Sequence, residues 1–284
     1  MASGTFAAGR EYADFVDVAS LGAVTTKGVS LNGWAGNDSP RIAETPSGML
    51  NSIGLQNPGV AHLKEHDLPW LAERGATAIV NVSGHSFDEY VQVIEALEEA
   101  PVGAYEVNVS CPNVDAGGMT IGTDAHSVHE VVSRCRAATA RPLIVKLTPN
   151  VTDVTEIARA AEAAGADALS LINTLLGMAI DARRRRPQLA RVVGGLSGPA
   201  VKPVALRMVW QCHQAVKVPL LGMGGIVTGT DAVEFLLAGA TAVAVGTANF
   251  MDPEATVKVV DGIIGYCEEQ GVTDVTELIG GLQC

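Results

Sequence analysis

The stretch PLIVKLTPNVTDVTEIARAAEAAGADALSLIN (142–173) decides the fold class. It begins and ends with short apolar runs, PLIVKLT (142–148) and ALSLIN (168–173), which do not alternate cleanly with polar residues. Such runs are typical of strands that are buried on both faces of a parallel sheet. Between them, DVTEIARAAEAA (153–164) has helical periodicity and opens on an Asp with a Glu three positions later, a helix N-terminal pattern. The order strand, helix, strand predicts a βαβ unit.

The same pattern recurs on both sides of this unit. Five further apolar runs are present: GAVTTK (22–27), ATAIVNV (76–82), AYEVNVS (104–110), PLLGMG (219–224) and TAVAVG (241–246). Further helical stretches are SFDEYVQVIEALEE (86–99) and TDAVEFLLA (230–238). Repeated βαβ units in a chain of this length predict an α/β protein, a (β/α)8 TIM barrel formed as a single domain over residues 1–284.

The N-terminus departs from a complete barrel. A barrel of this type has eight strands, and the sequence contains seven apolar runs. The opening Met1–Gly4 is typical of the last residues of a strand rather than of its beginning. We therefore expect the first barrel strand to be missing or truncated at the N-terminus. The alternative is a barrel that closes differently, or stays open, at that seam.

Composition and charge exclude several function classes. The net charge of −12 argues against nucleic-acid and membrane-surface binding, which need clustered Lys and Arg. No apolar run reaches about 18 residues, and the N-terminus lacks the features of a signal peptide. Five cysteines without a CxxC pair predict neither a disulfide framework nor a metal site, and they indicate the cytoplasm. The basic run Arg183–Arg186 fits a solvated loop, a contact for a partner protein or a gate for an anionic ligand.

Polar residues or glycines end each apolar run. In α/β barrels the carboxyl ends of the strands converge on one rim, where active sites lie. A lone Asn at a strand end is usually a turn former, but seven strands that each deliver such a residue predict a site. The set is Lys27, Asn81, Asn108, Cys111, Lys146, Asn173, Thr174, Gly224, Gly225, Gly246 and Thr247. The glycines follow the last two strands, where such barrels bind phosphate groups, and they predict a phosphorylated ligand.

The motif NVSCPN (108–113) is the most informative. A residue that precedes Pro is restricted to extended geometry, which places Cys111 on a loop at the barrel mouth. A free Cys is more often a buried small apolar residue, but the flanking Asn108 and Asn113 favour a catalytic role. The cysteines at positions 135, 212 and 267 fall inside helical patterns and are predicted to be packing residues.

These motifs resemble those of class 1 dihydroorotate dehydrogenases. The resemblance rests on NVSCPN, GMLNSIGLQNPG (48–59), KLTPNVTD (146–153), INTLLG (172–177), GGLSGPAVKPVAL (194–206), GMGG (222–225) and AVGTANF (244–250). It runs from Ala2 to about Pro253 with the motifs in the family's order. Within the class, GLQNPG and GLSGPAVKPVAL are similar to the NAD-linked subclass, 1B. The family has a strand before its Ala-Ser-Gly turn, and this sequence does not.

The resemblance implies an enzyme of de novo pyrimidine (UMP) biosynthesis that oxidises (S)-dihydroorotate to orotate. It implies FMN in this chain, and FAD and a [2Fe–2S] cluster in a partner subunit that passes electrons to NAD+. It also implies a homodimer that assembles with two electron-transfer subunits into a heterotetramer. Cys111 matches the family's catalytic base, and Lys146 is expected near the pyrimidine end of the flavin.

Binding roles carry over where residues match. Orotate-binding positions are Asn51, Ile53, Gly54, Leu55, Asn108, Asn113, Asn173 and Thr174. Flavin-binding positions are Ser3, Gly4, Lys27, Asn81, Asn108, Lys146, Gly198, Gly224, Gly225, Gly246 and Thr247. Asparagine amides suit orotate because they both donate and accept hydrogen bonds.

Other functions stay open on the sequence alone. The pyrimidine-reducing domain of dihydropyrimidine dehydrogenase, which acts on uracil and thymine, has similar motifs. A fumarate-linked subclass, 1A, is a second alternative. Two further alternatives are a non-redox phosphate-binding barrel and a non-catalytic remnant.

Overall fold

The structure, a computed structural model, describes residues 1–110 and 121–283. Its strands in chain order are β1 (Val24–Thr25), β2 (Ile42–Thr45), β3 (Gly48–Asn51), β4 (Ala78–Val82), β5 (Ala104–Asn108), β6 (Leu143–Lys146), β7 (Ala168–Leu171), β8 (Leu175–Met178), β9 (Ile180–Asp181), β10 (Arg186–Pro187), β11 (Val193–Ser197), β12 (Leu220–Met223) and β13 (Ala242–Ala244). Its α-helices are α1 (Val60–His62), α2 (Leu68–Glu73), α3 (Phe87–Leu97), α4 (Ala125–Ala138), α5 (Val154–Ala163), α6 (Lys202–Ala215), α7 (Gly229–Leu237), α8 (Ala248–Met251) and α9 (Ala255–Gln270). A π-helical turn, Leu63–Asp67, joins α1 to α2.

Seven of these strands form one parallel sheet in the order β1-β4-β5-β6-β7-β12-β13. Each of the seven apolar runs contains one of these strands, which confirms the α/β-barrel fold class for the described chain. Met1 and Ala2 lie between the two edges of the sheet. The Met1 amine donates to Ala23 O at 3.1 Å, and Ala2 N donates to Val245 O at 2.9 Å. The expected absence of a first barrel strand stays a prediction.

The core lies between the sheet and the surrounding helices. Alternate strand residues point outward, so Val80, Val107 and Val145 are fully buried against the helix layer. On the helix side, Ile94 and Leu97 of α3 are also fully buried. The predicted Asp cap is present, since the Asp153 carboxylate accepts from Thr155 N at 2.9 Å and begins α5.

A second sheet lies outside the apolar runs. Residues 28–60 have no strand periodicity, yet they contain β2 and β3, which join an antiparallel sheet in the order β2-β3-β11-β8. This sheet is attached to the carboxyl end of the barrel. Asn150, after β6, accepts from Leu176 N at 2.9 Å, and Thr247, after β13, donates to Ser197 Oγ at 2.8 Å. We call it the lid sheet.

The basic run lies on a separate two-stranded hairpin formed by β9 and β10. Its arginines are exposed, and Asp181 Oδ1 accepts from the backbone N–H groups of Arg183 and Arg184 at 3.0 and 3.1 Å. The run is therefore an exposed turn, and its role stays a prediction. None of the helices in residues 1–110 and 121–283 has the length and apolarity that a bilayer crossing needs.

Candidate active site

The register of the parallel strands aims a group of polar side chains into the barrel. Direct neighbours on adjacent strands share one face of a sheet. Asn81 pairs with Glu106, Asn108 pairs with Lys146, and Lys146 pairs with Ser170. All five face inward, because the residues next to them in sequence pack against the helices. One side of the barrel interior, from β4 to β7, is therefore polar.

Glu106 lies at the bottom of this polar group and is fully buried. Its Oε2 accepts from Asn81 Nδ2 at 2.5 Å, and its Oε1 accepts from Ser170 Oγ at 2.7 Å. Asn81 Oδ1 in turn accepts from Asn108 Nδ2 at 3.2 Å. The hydrogen bonds therefore run from the barrel interior towards its carboxyl end.

The same chain of bonds reaches the rim. Asn108 Oδ1 accepts from Ser110 Oγ at 2.7 Å and from Ser110 N at 3.2 Å. Asn173 Nδ2, after β7, donates to Ser110 Oγ at 2.8 Å and to Ser110 O at 3.0 Å. Three of the predicted ligand-binding asparagines are thus joined through one serine hydroxyl.

Two lysines flank the N-terminal turn. Lys146 is 4% exposed, and its Nζ donates to Ser3 Oγ at 2.9 Å. A β-carbon built on Gly4 would lie 3.7 Å from Lys27 Nζ. Ser3 and Gly4 therefore lie between the two cations that the sequence assigned to the flavin, and a charged, buried Lys146 is positioned to meet an anionic ligand group.

Glycines follow the last two barrel strands, at a part of the rim away from the asparagines. Gly224 and Gly225 follow β12 with φ of 123° and 82°, a region that favours glycine. A β-carbon on Gly225 would lie 2.9 Å from Gly198 O and 2.8 Å from Lys202 Cβ. Gly246 and Thr247 follow the neighbouring strand β13. Glycine lets backbone N–H groups approach a phosphate here, as the sequence predicts.

The lid sheet brings the predicted orotate-binding loop to the rim. Asn51 Nδ2 donates to Gly195 O at 3.4 Å, and Thr174 packs against the α-carbon side of the same Gly195. Gly54 (φ 73°) and Leu55 (φ 52°) both have left-handed backbones. Strained backbone of this kind concentrates at ligand sites.

Leu55 also reaches the polar interior. A β-carbon on Gly28 would lie 2.7 Å from Asn81 Oδ1 and 3.3 Å from Leu55 Cδ2, so the loop and the asparagine approach each other. The backbone of Ile53 helps to hold this loop in place, because Asn37 N donates to Ile53 O at 3.0 Å. All the predicted site residues in the described part of the chain thus lie at one end of the barrel.

Two buried hydroxyls near these residues have no partner within the described ranges. They are Ser83 Oγ, which lies at 3.1 Å from a β-carbon built on Gly28, and Ser52 Oγ, next to Asn51. A buried hydroxyl without a partner is costly, so a polar ligand that completes these bonds would stabilise the site. A cavity of about 540 Å³ lies between the N-terminal turn and the segment that contains α1, and Lys27 is part of both its lining and the predicted site.

The predicted base and one predicted ligand lie outside the described residues. These are Cys111 and Asn113. Cys135 and Cys212 are buried in the helix layer, where burial raises the pKa of both thiols to about 12. Their assignment as packing residues is confirmed by that burial. Cys267 is half-buried in α9.

Four further polar residues at this site are not predicted by the sequence motifs: Glu106, Ser110, Ser170 and Ser83. Glu106 had a detectable signal, because a carboxylate in the middle of the apolar run AYEVNVS (104–110) is unusual for a buried strand. The serines had none, since a serine near a strand end is common in any turn.

A parallel barrel with a polar rim and glycine-lined loops after its last two strands defines a (β/α)8-barrel protein with its ligand site at the carboxyl ends of the strands. The comparison with known families is more specific. The chain belongs to the dihydroorotate dehydrogenase family, whose model matches residues 1–266. The resemblance found in the sequence is therefore confirmed.

Relatives of the chain carry a more detailed description. It is 58% identical over 281 residues to the dihydroorotate dehydrogenase B (NAD(+)), catalytic subunit, of Alkaliphilus metalliredigens, covering 99% of this chain and 93% of the relative. It is 58% identical over 282 residues to the protein of the same description from Geotalea uraniireducens, covering 99% and 92%. The corresponding protein of Bacteroides thetaiotaomicron is 56% identical over 283 residues, covering 99% and 93%.

Proposed function

We propose that the chain is the catalytic subunit of an NAD-linked dihydroorotate dehydrogenase, and that it oxidises (S)-dihydroorotate to orotate in pyrimidine biosynthesis. The observation that supports this most strongly is the joined set of asparagines at the rim, in a chain of this family. Dihydroorotate offers ring N–H donors, carbonyl acceptors and a carboxylate. Amide side chains can match both kinds of ring group.

The reaction forms a C5=C6 double bond. The C5 proton goes to the thiolate of Cys111, whose ordinary pKa of about 8.5 makes it a usable base near neutral pH. The C6 hydrogen leaves as a hydride, and bound FMN supplies the chemistry that accepts it. The other residues bind and orient the ring: Asn51, Asn108, Asn113 and Asn173 through their amides, and the 53–55 loop through its backbone.

The residues present fit FMN. The glycines at positions 198, 224, 225 and 246 suit the phosphate, because glycine lets backbone N–H groups approach phosphate oxygens closely. Ser83 Oγ is a buried hydroxyl that a polar cofactor edge would satisfy. Lys146 would hold a positive charge near the flavin, beside Ser3, Gly4, Lys27, Asn81 and Thr247.

The relatives are described as catalytic subunits of an NAD(+) enzyme, which supports a partner subunit for this chain. We propose that the partner carries FAD and a [2Fe–2S] cluster, and that two copies of each subunit form a heterotetramer in the cytoplasm. The chain itself would be one FMN-binding domain over residues 1–284.

An anaerobic absorbance titration tests the substrate. We expect dihydroorotate to bleach the flavin band of the purified chain, and dihydrouracil, in a separate cuvette, to leave it unchanged. Bleaching by dihydrouracil alone would transfer the chain to the dihydropyrimidine dehydrogenase type. A preparation without flavin, even after incubation with FMN, would contradict the proposal.

A further inference from the structure

We infer that Glu106 is a positioning residue, which sets the direction of every amide in the chain of hydrogen bonds from Asn81 to Asn173. This inference rests on the proposed function, because the amides that Glu106 orients are those proposed to bind the flavin and the dihydropyrimidine ring. Glu106 itself is fully buried below the rim.

The Glu106 carboxylate sets the direction of the first hydrogen bond in this chain. A carboxylate oxygen accepts hydrogen bonds from amide and hydroxyl donors. The Glu106 oxygens meet two donors, Asn81 Nδ2 at 2.5 Å and Ser170 Oγ at 2.7 Å. Asn81 must therefore turn its NH2 group inward, which leaves its Oδ1 facing the carboxyl end of the barrel.

Each later bond follows from the one before it. Asn81 Oδ1 needs a donor, which Asn108 Nδ2 provides at 3.2 Å. Asn108 then turns its Oδ1 to Ser110, whose hydroxyl donates at 2.7 Å. A hydroxyl has one proton, so the Ser110 oxygen is left to accept, and it accepts from Asn173 Nδ2 at 2.8 Å.

The last amide presents its oxygen to the ligand side. Asn173 Oδ1 accepts no hydrogen bond from the rest of the described chain, which makes it an acceptor for a ring N–H. If the Asn81 amide were reversed, its Oδ1 would face the Glu106 carboxylate, and two acceptors would meet there. Its Nδ2 would face Asn108 Nδ2, and two donors would meet there. Networks of this kind polarise cooperatively in a low-dielectric interior, so an error at one end is felt at the other.

Packing alone does not explain a glutamate at this position. Charged side chains are almost never fully buried without a partner, because desolvation penalises the charged form. The residue beside Glu106 on the neighbouring strand β6 is Ile144, so an apolar side chain fits this level of the barrel. Glu106 forms no ion pair with a lysine or arginine side chain of the described residues. The buried Met1 amine is within electrostatic range, since burial lowers the pKa of that amine to about 6 and Glu106 acts to raise it. What Glu106 supplies to the rim is the direction of the amides.

Three variants of the flavin-loaded chain test the inference. Glu106→Gln keeps the shape but adds a donor, so the direction is no longer set. We expect a normal melting temperature and, in the fraction that carries flavin, an orotate dissociation constant raised about 10-fold or more, measured from the perturbation of the flavin spectrum. Ser170→Ala removes the other donor to Glu106 and leaves the bond from Asn81 in place, so its loss of orotate affinity should be clearly smaller than that of Glu106→Gln.

The double variant Asn81→Asp/Glu106→Gln exchanges donor and acceptor between the two positions. The glutamine introduced at position 106 can donate to the aspartate introduced at position 81. That aspartate still accepts from Asn108, so the outer bonds recover their direction. We expect this variant, in the fraction that carries flavin, to bind orotate more tightly than Glu106→Gln alone. Glu106→Gln can be tested through the double variant if the single variant does not fold. Folding and orotate binding that recover in the double variant would then support the inference, and a double variant that does not recover would contradict it.

The outcomes separate the two proposals. If dihydroorotate does not bleach the parent, the proposed function fails whatever the variants do. If the parent responds and Glu106→Gln binds orotate normally, or if Ser170→Ala loses as much affinity as Glu106→Gln, the inference about Glu106 is overturned and the proposed function stands.

Discussion

Lys146 is a lysine inside a barrel. It is 4% exposed, and its ammonium donates to Ser3 Oγ. A charge in such a setting acts more strongly than one in water, because the surrounding dielectric is low. The apolar run PLIVKLT (142–148) already indicated that this lysine ends a buried strand.

Replacement of Lys146 by Met should slow flavin reduction by dihydroorotate about 10²-fold, the typical cost of removing one electrostatic donor from an active site. Methionine keeps the length and removes the charge. Stopped-flow bleaching of the flavin band measures the rate. Lys258→Met is a matched control, because the Lys258 side chain is 56% exposed and pairs with Asp252 at the surface. Unchanged reduction in Lys146→Met would remove Lys146 from the site.

Two buried thiols make stability depend on alkaline pH. Burial raises the pKa of Cys135 and Cys212 from 9.0 to about 12, and for Cys212 the charge of Asp153 adds to the effect. Between pH 9 and 12 the unfolded chain releases protons that the folded chain keeps. The stability due to these groups is therefore complete below pH 9 and is lost as pH rises.

We expect the urea midpoint to fall between pH 8 and pH 10, and to fall less in the double variant Cys135→Ala/Cys212→Ala.

At pH 8, iodoacetamide should modify Cys111, as a predicted accessible base, and leave Cys135 and Cys212 intact. Mass spectrometry of the labelled peptides reads this directly. Rapid labelling of Cys135 or Cys212 in the native protein would contradict their burial.

At the scale of elements, the loops after β12 and β13 depend on glycine. Gly225 has a left-handed backbone and no room for a β-carbon between Gly198 and Lys202. These loops are the proposed phosphate site, so a small steric change there should act on cofactor binding before it acts on the fold.

Gly225→Ala should reduce flavin content at least 10-fold, because both the strained φ and the contact with Gly198 O must relax. Absorbance of the purified protein measures the flavin-to-protein ratio. The control is Gly265→Ala in α9, where a β-carbon meets nothing within 4 Å and alanine favours the helix. A fully loaded Gly225→Ala protein would exclude this loop from the cofactor site.

Barrel strands and lid strands differ in how far the sequence predicts them. The apolar runs locate all seven barrel strands within a few residues, because strands buried on both faces need continuous Val, Ile and Leu. The sequence does not predict the lid strands, because β3 pairs with β11 across a long sequence separation. They are four or five residues long, and their burial is mixed. No local pattern specifies such a pairing.

At the scale of the whole molecule, the proposed cofactor site draws on both ends of the chain. Ser3 and Gly4 belong to the N-terminal turn and Lys146 to the middle of the chain. Gly246 and Thr247 follow the last barrel strand. A ligand that binds all of them links the stability of the whole barrel to its own concentration.

Addition of FMN to the flavin-free chain should raise the melting temperature of a single transition. The stabilisation should be about 2.7 kcal/mol when the FMN concentration is 100 times the dissociation constant. Riboflavin lacks the phosphate and should raise it less at the same concentration. Differential scanning calorimetry measures both. Two separate transitions would contradict the single domain, and an equal effect of riboflavin would contradict the phosphate site.

The sequence by itself determined the class of fold, the carboxyl-end rim and the family, because apolar periodicity and short motifs are local properties of the chain. Only the tertiary structure decided which polar groups meet. Asn81, Asn108 and Asn173 were each chosen as strand-end residues, but their connection through Ser110, and its origin at Glu106, depends on the register of β4, β5 and β7. Hydrogen bonds between residues 25 to 64 positions apart arise from strand pairing, which brings together side chains that no local pattern relates.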